Sequence, residues 1–289
     1  MKISSLFHHR HIAPRWTFTT QGILWRLLFS DTNFIVGEDR DTEKKSVTFF
    51  CLNAQNGDAL WKDISYDEAW WIGIEAVVHD RLYLHGFRKP DMPEHSKIIA
   101  VDLGTGKVLW RNDYYSFLFA TPDTVIVFRD LFEQRMFYEL NAATGELIAE
   151  MKDRPADAYE VKEGNHGRTD FLFPHVLSGD DENVSLRKLI EKSTHEEEIR
   201  SDIEYARSNG KAIVNFHVVV KSASEAAREI LQNRLYVLDE RTGKELYAEV
   251  VNAETPAAVP DSFFIDRSIV YFIKERKTLV ALDFEHGVL

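Results

Sequence analysis

Three carboxylates stand where acid–base chemistry would need them: Glu75, Glu160 and Glu204, each close to aromatic residues. Trp70 and Trp71 precede Glu75, Tyr159 precedes Glu160, and Tyr205 follows Glu204. Two such carboxylates at a set separation would serve a hydrolase or lyase as acid and base. Trp25 and Arg26 belong with them, because all these positions fall on one strand of a repeat developed below; Phe117 and Phe263 hold the same place. Tryptophan and tyrosine offer apolar area with a polar handle, so Trp25, Arg26, Trp70, Trp71, Glu75, Tyr159, Glu160, Glu204 and Tyr205 form the candidate ligand pocket. Packing is the competing role for each of them, since only alternate residues of a strand share a face.

A second pattern is cationic. Arg40, Arg88, Arg129, Lys221 and Lys274 recur at the ends of corresponding strands, with His175 near the place in another repeat. On one shared face they would form a rim for an anionic partner or metabolite. The alternative is solvated charge, paired with Glu38, Asp39, Asp41, Asp130 and Glu275. His8, His9 and His11 cluster beside Arg10, and such tracts can bind metal. At a chain end they read better as part of a flexible arm over residues 1–12. The other histidines show no H-x-x-x-H or H-E-x-x-H spacing, and there is no G-x-S-x-G, P-loop or G-x-G-x-x-G. No metal and no cofactor is expected.

Composition narrows the setting. The 289 residues are 44% hydrophobic and 28% charged, enough to bury a large core without disulfides. The lone cysteine, Cys51, excludes an intrachain disulfide and suits a reducing compartment. With 35 Lys and Arg against 47 Asp and Glu, the net charge of −12 repels phosphate backbones, so nucleic acid is not an expected partner. The N-terminus, MKISSLFHHRHIAPRW, has no apolar run of signal-peptide length, and no 18-residue apolar run occurs anywhere. The expectation is a cytoplasmic protein without a membrane span, with a protein or small molecule as its partner.

These residues must be positioned by a repeat. LNAQNGDALW, VDLGTGKVLW, LNAATGELIA, LDERTGKELY and LDFEHGVL each carry an apolar residue, then Asp or Asn, then glycine four positions later. The glycines are Gly57, Gly106, Gly145, Gly243 and Gly287. The interval from Gly145 to Gly243 is double length, and IEKSTHEEEI fits the frame inside it with His195 in the glycine place. A turn ending in a left-handed residue is a common hairpin connection, glycine enters that region without strain, and Asp or Asn caps the turn amides. Histidine tolerates positive φ better than most residues.

Three strand-like runs precede each turn, for example ILWRLLF, NFIVGE and SVTFFCLN, and a fourth run follows it. Four-stranded units repeated in this way predict an all-β chain: a single six-bladed β-propeller over residues 13–289, with four antiparallel strands per blade. Residues 185–190 are expected as strand, although Leu186, Leu189 and Ile190 also fit an amphipathic helix. Ser222 and Glu225 have capping-box spacing, which allows a short helix over 222–231. Trp61 and Trp110 follow their glycines by four positions, with Ala149, Ile199 and Tyr247 in the same place. That place is expected to pack between neighbouring blades. The last repeat lacks its outer strand, so residues 14–18 should pair near Thr278–Asp283 and close the ring.

The pattern D-x-x-T-G-K-x-L-W, complete from Asp102 to Trp110, resembles the repeat of the quinoprotein, or pyrroloquinoline-quinone-dehydrogenase-like, propellers. The resemblance implies blade architecture. The dehydrogenases of that superfamily hold their quinone with calcium and often a vicinal cysteine pair, and this chain has one cysteine and no carboxylate-rich calcium loop. It therefore implies a non-catalytic member, a binding or interaction propeller, with the carboxylate enzyme as the alternative.

Overall fold

The computed structural model describes residues 12–89, 92–132, 134–151, 170–177, 184–194, 198–220 and 229–285. Its strands in chain order are β1 (Trp16–Thr19), β2 (Ile23–Phe29), β3 (Phe34–Asp41), β4 (Ser46–Asn53), β5 (Ala59–Ile64), β6 (Ile72–Val78), β7 (Arg81–Lys89) and β8 (Met92–Asp102). They continue with β9 (Val108–Asn112), β10 (Ser116–Ala120), β11 (Thr124–Asp130), β12 (Arg135–Asn141), β13 (Leu147–Glu150), β14 (His175–Val176) and β15 (Glu204–Ser208). The last six are β16 (Lys211–Val220), β17 (Ile230–Asp239), β18 (Glu245–Thr255), β19 (Phe263–Asp266), β20 (Ile269–Lys274) and β21 (Thr278–Asp283). One helix, α1 (Val184–Thr194), lies among the described residues. The chain divides into two units, one of residues 20–169 and the other of residues 1–19 with 170–289.

The unit of residues 20–169 holds three four-stranded antiparallel sheets, β2-β3-β4-β5, β6-β7-β8-β9 and β10-β11-β12-β13, each a run of consecutive hairpins. The turn chemistry is repeated closely. Gly57, Gly106 and Gly145 have φ of 74°, 71° and 73°. Each donates its amide to the carbonyl of Asn53, Asp102 or Asn141 at 2.8 Å. The side chains of the same three residues cap the turns, accepting from Gln55, Thr105 and Ala143 at 2.8, 2.8 and 2.9 Å.

The tryptophan four positions after a glycine joins its sheet to the next. Trp61 on β5 donates its indole N–H to Leu103 O at 2.8 Å, and its ring covers Gly106. Trp110 on β9 does the same with Ala142 O at 2.9 Å and Gly145. Both indoles are 8% exposed, as packing between successive sheets requires. Apolar residues from both faces of these sheets fill the core, Val36, Phe49, Ile74, Leu84 and Ile99 in one cluster and Tyr83, Ala100, Val125 and Leu140 in another.

The other unit holds a five-stranded sheet, β14-β15-β16-β17-β18, and a four-stranded one, β1-β21-β20-β19. The second joins the two ends of the chain: Trp16 pairs with Ala281, Thr17 with Val280, Phe18 with Leu279 and Thr19 with Thr278. Trp16 is 7% exposed and its ring lies 6.0 Å from that of Tyr271.

Two expectations need correction. Residues 185–190 are helical, within α1, and not a strand. Five sheets, not six, are present among the described residues. The departure has a packing logic. Leu189 of α1 sits where a Cβ on Gly243 would lie 2.7 Å from Leu189 Cδ2, and Gly243 has φ of 69°. Leu189 thus covers its turn glycine as Trp61 and Trp110 cover theirs, and a helix supplies the lid that an outer strand supplies elsewhere. His195, Gly287 and residues 222–228 of the segment 222–231 proposed for a helix lie outside the described residues, and that segment's end, Ile230 and Leu231, is strand, the start of β17.

Candidate functional site

Glu75, His85 and His95 come together in the sheet β6-β7-β8-β9, and strand alternation, a β-bulge at Lys97 and a glycine put them on one face. In β7 and β8, His85 pairs with Ile98 but Gly86 pairs with Ser96, which leaves Lys97 as an extra residue with φ of 62°. Without it His95 would oppose Arg88, one position out of step with His85, and would face the other side of the sheet. With it His95 opposes Phe87 and shares the face of His85. In β6, Gly73 pairs with His85 and Ile74 with Leu84, but Ala76 pairs with Tyr83, so Glu75 is itself a bulged residue. Gly73 makes room for the imidazole: a Cβ there would lie 3.2 Å from both Cε1 and Nε2 of His85.

The two imidazoles stack with centroids 3.5 Å apart and planes 6° apart, and the Phe87 ring meets both edge-on. Nδ1 of His95 lies 2.7 Å from Glu75 Oε2, and Nδ1 of His85 lies 2.8 Å from the same oxygen. The second contact is close but poorly directed, and the buried His85 Nδ1 has no hydrogen-bond partner. Burial pushes the Glu75 carboxyl up, but the two imidazoles outweigh it and hold the group at about 2. His85 is 4% exposed, whereas the His95 side chain is 37% exposed, its main-chain carbonyl accepting from Ser116 Oγ at 2.8 Å.

A buried ionic clamp fixes β6. Glu38, 1% exposed, accepts from Ile74 N at 2.6 Å and from Arg40 Nε at 2.7 Å. Arg40 then donates to Trp70 O at 3.0 Å and Ile72 O at 2.5 Å, and Arg26 donates to Ile74 O at 2.7 Å. Arg40, expected on a cationic rim, is therefore 8% exposed and structural. Its guanidinium lies 5.1 Å from the Trp70 ring and 6.0 Å from that of Trp25. Trp71 meets Phe87 at 5.8 Å and so connects to the histidine pair.

Beside His95 opens a cleft of about 590 Å³. The β7–β8 hairpin contributes Arg88, Glu94, His95 and Ser96; the loop after β9 and the start of β10 contribute Asp113 to Phe117; the β11–β12 hairpin contributes Phe128, Arg129, Asp130 and Arg135. Two of its arginines are paired, Arg88 with Glu94 at 3.0 Å and Arg135 with Asp130 at 2.6 and 3.1 Å. Arg129 is exposed, and its side chain makes no hydrogen bond or ion pair among the described residues. Burial raises the Tyr115 hydroxyl, with the Arg129 charge acting in the opposite sense.

The remaining candidates are placed elsewhere. Glu204 is 9% exposed and accepts from the amides of Asp261 at 2.6 Å and Ser262 at 3.3 Å. The Tyr205 ring lies tilted 6.3 Å from that of His175, with the Arg207 guanidinium 5.8 Å from its centre, and Phe263 is core. Lys274 pairs with Glu249 at 3.0 Å. Tyr159, Glu160, Lys221 and His8, His9 and His11 lie outside the described residues. The sequence reading passed over His85 and His95. They stand ten residues apart on paired strands, a spacing no helix or loop motif describes, and their common face depends on a bulge.

No helix among the described residues is long and apolar enough to cross a membrane. Residues 29–110 match the family model described as a domain of unknown function, DUF4905, which is less than half of the chain. No curated protein matches the chain. It is similar to a crystal structure of a member of the DUF4221 family from Bacteroides vulgatus, with 9% identity, a TM-score of 0.32, and 95% and 99% of the two chains covered. It is also similar to the β-propeller domain of the trilobed protease from Pyrococcus furiosus, with 11% identity, a TM-score of 0.30, and 90% and 80% covered.

Proposed function

We propose that this chain is a ligand-binding β-propeller and that its site is the 590 Å³ cleft beside His95, where it takes a small anionic molecule. Repeated four-stranded meanders, tryptophan packing between successive sheets and the β1–β21 pairing support the propeller, with that pairing as the closure of the ring. The lone, buried Cys51 suits a reducing, cytoplasmic setting. One observation carries the ligand class. Arg88 and Arg135 are neutralised by partners within the cleft, whereas Arg129 is not, so a ligand carboxylate or phosphate has one fork-shaped donor to occupy. Tyr114, Phe117 and Phe128 offer apolar and aromatic wall for the rest of the molecule.

The enzymatic alternative gains less support. Glu75, lowered to about 2 beside the two imidazoles, is in the form of a base and not of the acid. Both oxygens of Glu204 are engaged by main-chain amides.

Thermal unfolding with phosphate, sulfate and citrate tests the reading, using wild type and Arg129→Ala. A ligand at about 100 times its Kd adds about 2.7 kcal/mol, or roughly 4–5 °C for a chain of this size. Sulfate and phosphate also stabilise proteins nonspecifically, so the difference between the two proteins is decisive. A rise in wild type that Arg129→Ala loses is expected. No rise, or an equal rise in both, refutes the site.

A further inference from the structure

The geometry points to a binding site for one divalent transition-metal ion of the zinc class, held by Glu75, His85 and His95. Two imidazoles and a carboxylate are the donor set of three-ligand zinc sites, in which the fourth position is left for water or another ligand. Among the described residues these three each offer a ligand atom within 4.8 Å of the other two. A nitrogen-rich set favours zinc, cobalt or nickel over magnesium or calcium, which prefer oxygen alone.

Three features indicate more than a chance cluster. His85 is 4% exposed, and its buried Nδ1 lies 2.8 Å from Glu75 Oε2 in a contact that does not reach hydrogen-bond geometry and that a coordinate bond would replace. Gly73 leaves space for the His85 ring, the alternation of β6 already gives Glu75 the face of Gly73 and His85, and the bulge at Lys97 is needed to bring His95 to it. Bulges that re-aim a side chain concentrate beside functional sites. The Glu38–Arg40 clamp then holds the Glu75 strand through Ile72 and Ile74, as outer partners hold the ligands of metal sites.

Metal entry requires one movement. Donors around zinc at about 2.0–2.1 Å stand roughly 3.3 Å apart, whereas Oε2 now lies 2.7 and 2.8 Å from the two Nδ1 atoms. Stacked rings 6° from parallel also aim their in-plane lone pairs side by side, not at one point. His85 is locked by burial, so His95, 37% exposed on the cleft wall, is the ligand that swings. Its swing would leave the fourth coordination position facing the cleft.

The test uses full-length protein stripped of metal with a chelator, then titrated with Zn²⁺ by calorimetry and with Co²⁺ by visible absorption. The expected result is one ion per chain and a ligand-field spectrum for Co²⁺. Glu75→Gln, His85→Ala and His95→Ala should each weaken binding by about 100-fold or more, at or beyond the range for losing an outer partner. A triple variant, His8→Ala with His9→Ala and His11→Ala, should keep the site and separates it from the N-terminal histidines. Should His85→Ala fail to fold, His95→Ala decides, because that side chain is partly exposed. No binding by wild type, binding undiminished in His95→Ala, or loss of the ion in the triple variant overturns the assignment.

Discussion

Gly145→Ala isolates how successive sheets are joined. Gly145 has φ of 73°, and a Cβ there would lie 2.6 Å from Trp110 Cδ2 and 2.7 Å from Cε3. The indole cannot retreat without stretching its 2.9 Å hydrogen bond to Ala142 O. Left-handed strain costs about 1–2 kcal/mol, less about 0.4–1 kcal/mol from a stiffer unfolded chain. Overpacking adds about 1–3 kcal/mol, for a net loss of roughly 2–4 kcal/mol. Gly210→Ala is the comparator: its φ is 71°, but nothing lies within 4 Å of the added Cβ. It should cost only about 1 kcal/mol. Urea unfolding of both variants reads the difference directly. In a Trp110→Leu background, Gly145→Ala should fall to the Gly210→Ala cost. Equal losses for the two glycines in the wild-type background would refute the packing argument.

Cys51 is fully buried with its thiol pushed up to about 12, so a thiol reagent should label native protein only as fast as it unfolds; fast stoichiometric labelling would contradict this. Arg40→Ala leaves Glu38 buried and without its cation, and should lower stability by about 3–5 kcal/mol in urea unfolding. Trp16→Ala removes a 7%-exposed indole from β1 and should cost about 3–5 kcal/mol if the β1–β21 pairing carries stability. The Asp67 carboxyl is lowered from 3.8, chiefly by the Lys97 hydrogen bond, with Arg111 assisting. Its contribution is therefore complete above 3.8 and lost as pH falls below it. Asp67→Asn should flatten that part of the acid-unfolding curve by up to about 1 kcal/mol.

The turns were the most legible part of the sequence because their chemistry is local. An Asn or Asp, then a glycine four residues on, dictates both the cap and the left-handed residue, and Gly57, Gly106, Gly145 and Gly243 comply. The packing role of Trp61 and Trp110 was legible for the same reason, since it recurs in the frame. The double-length interval was not. Leu186, Leu189 and Ile190 satisfy helix and strand periodicity alike, and the choice went to tertiary packing, where Leu189 covers Gly243. Arg40 was misplaced because alternation cannot tell a buried clamp from a rim when the partner, Glu38, lies two residues away on the same strand. Glu75 was marked, but its partners were not. A one-residue slip of register decides whether His95 meets His85, and no sequence motif announces a bulge at Lys97.

The most direct measurement is an experimental structure of the protein grown with citrate, phosphate or sulfate, solved alongside Arg129→Ala under the same conditions. The account predicts an anionic group in the cleft beside His95, within hydrogen-bond reach of the Arg129 guanidinium, and lost from the variant. An empty cleft in wild type, or an anion that persists unchanged when Arg129 is removed, would contradict it.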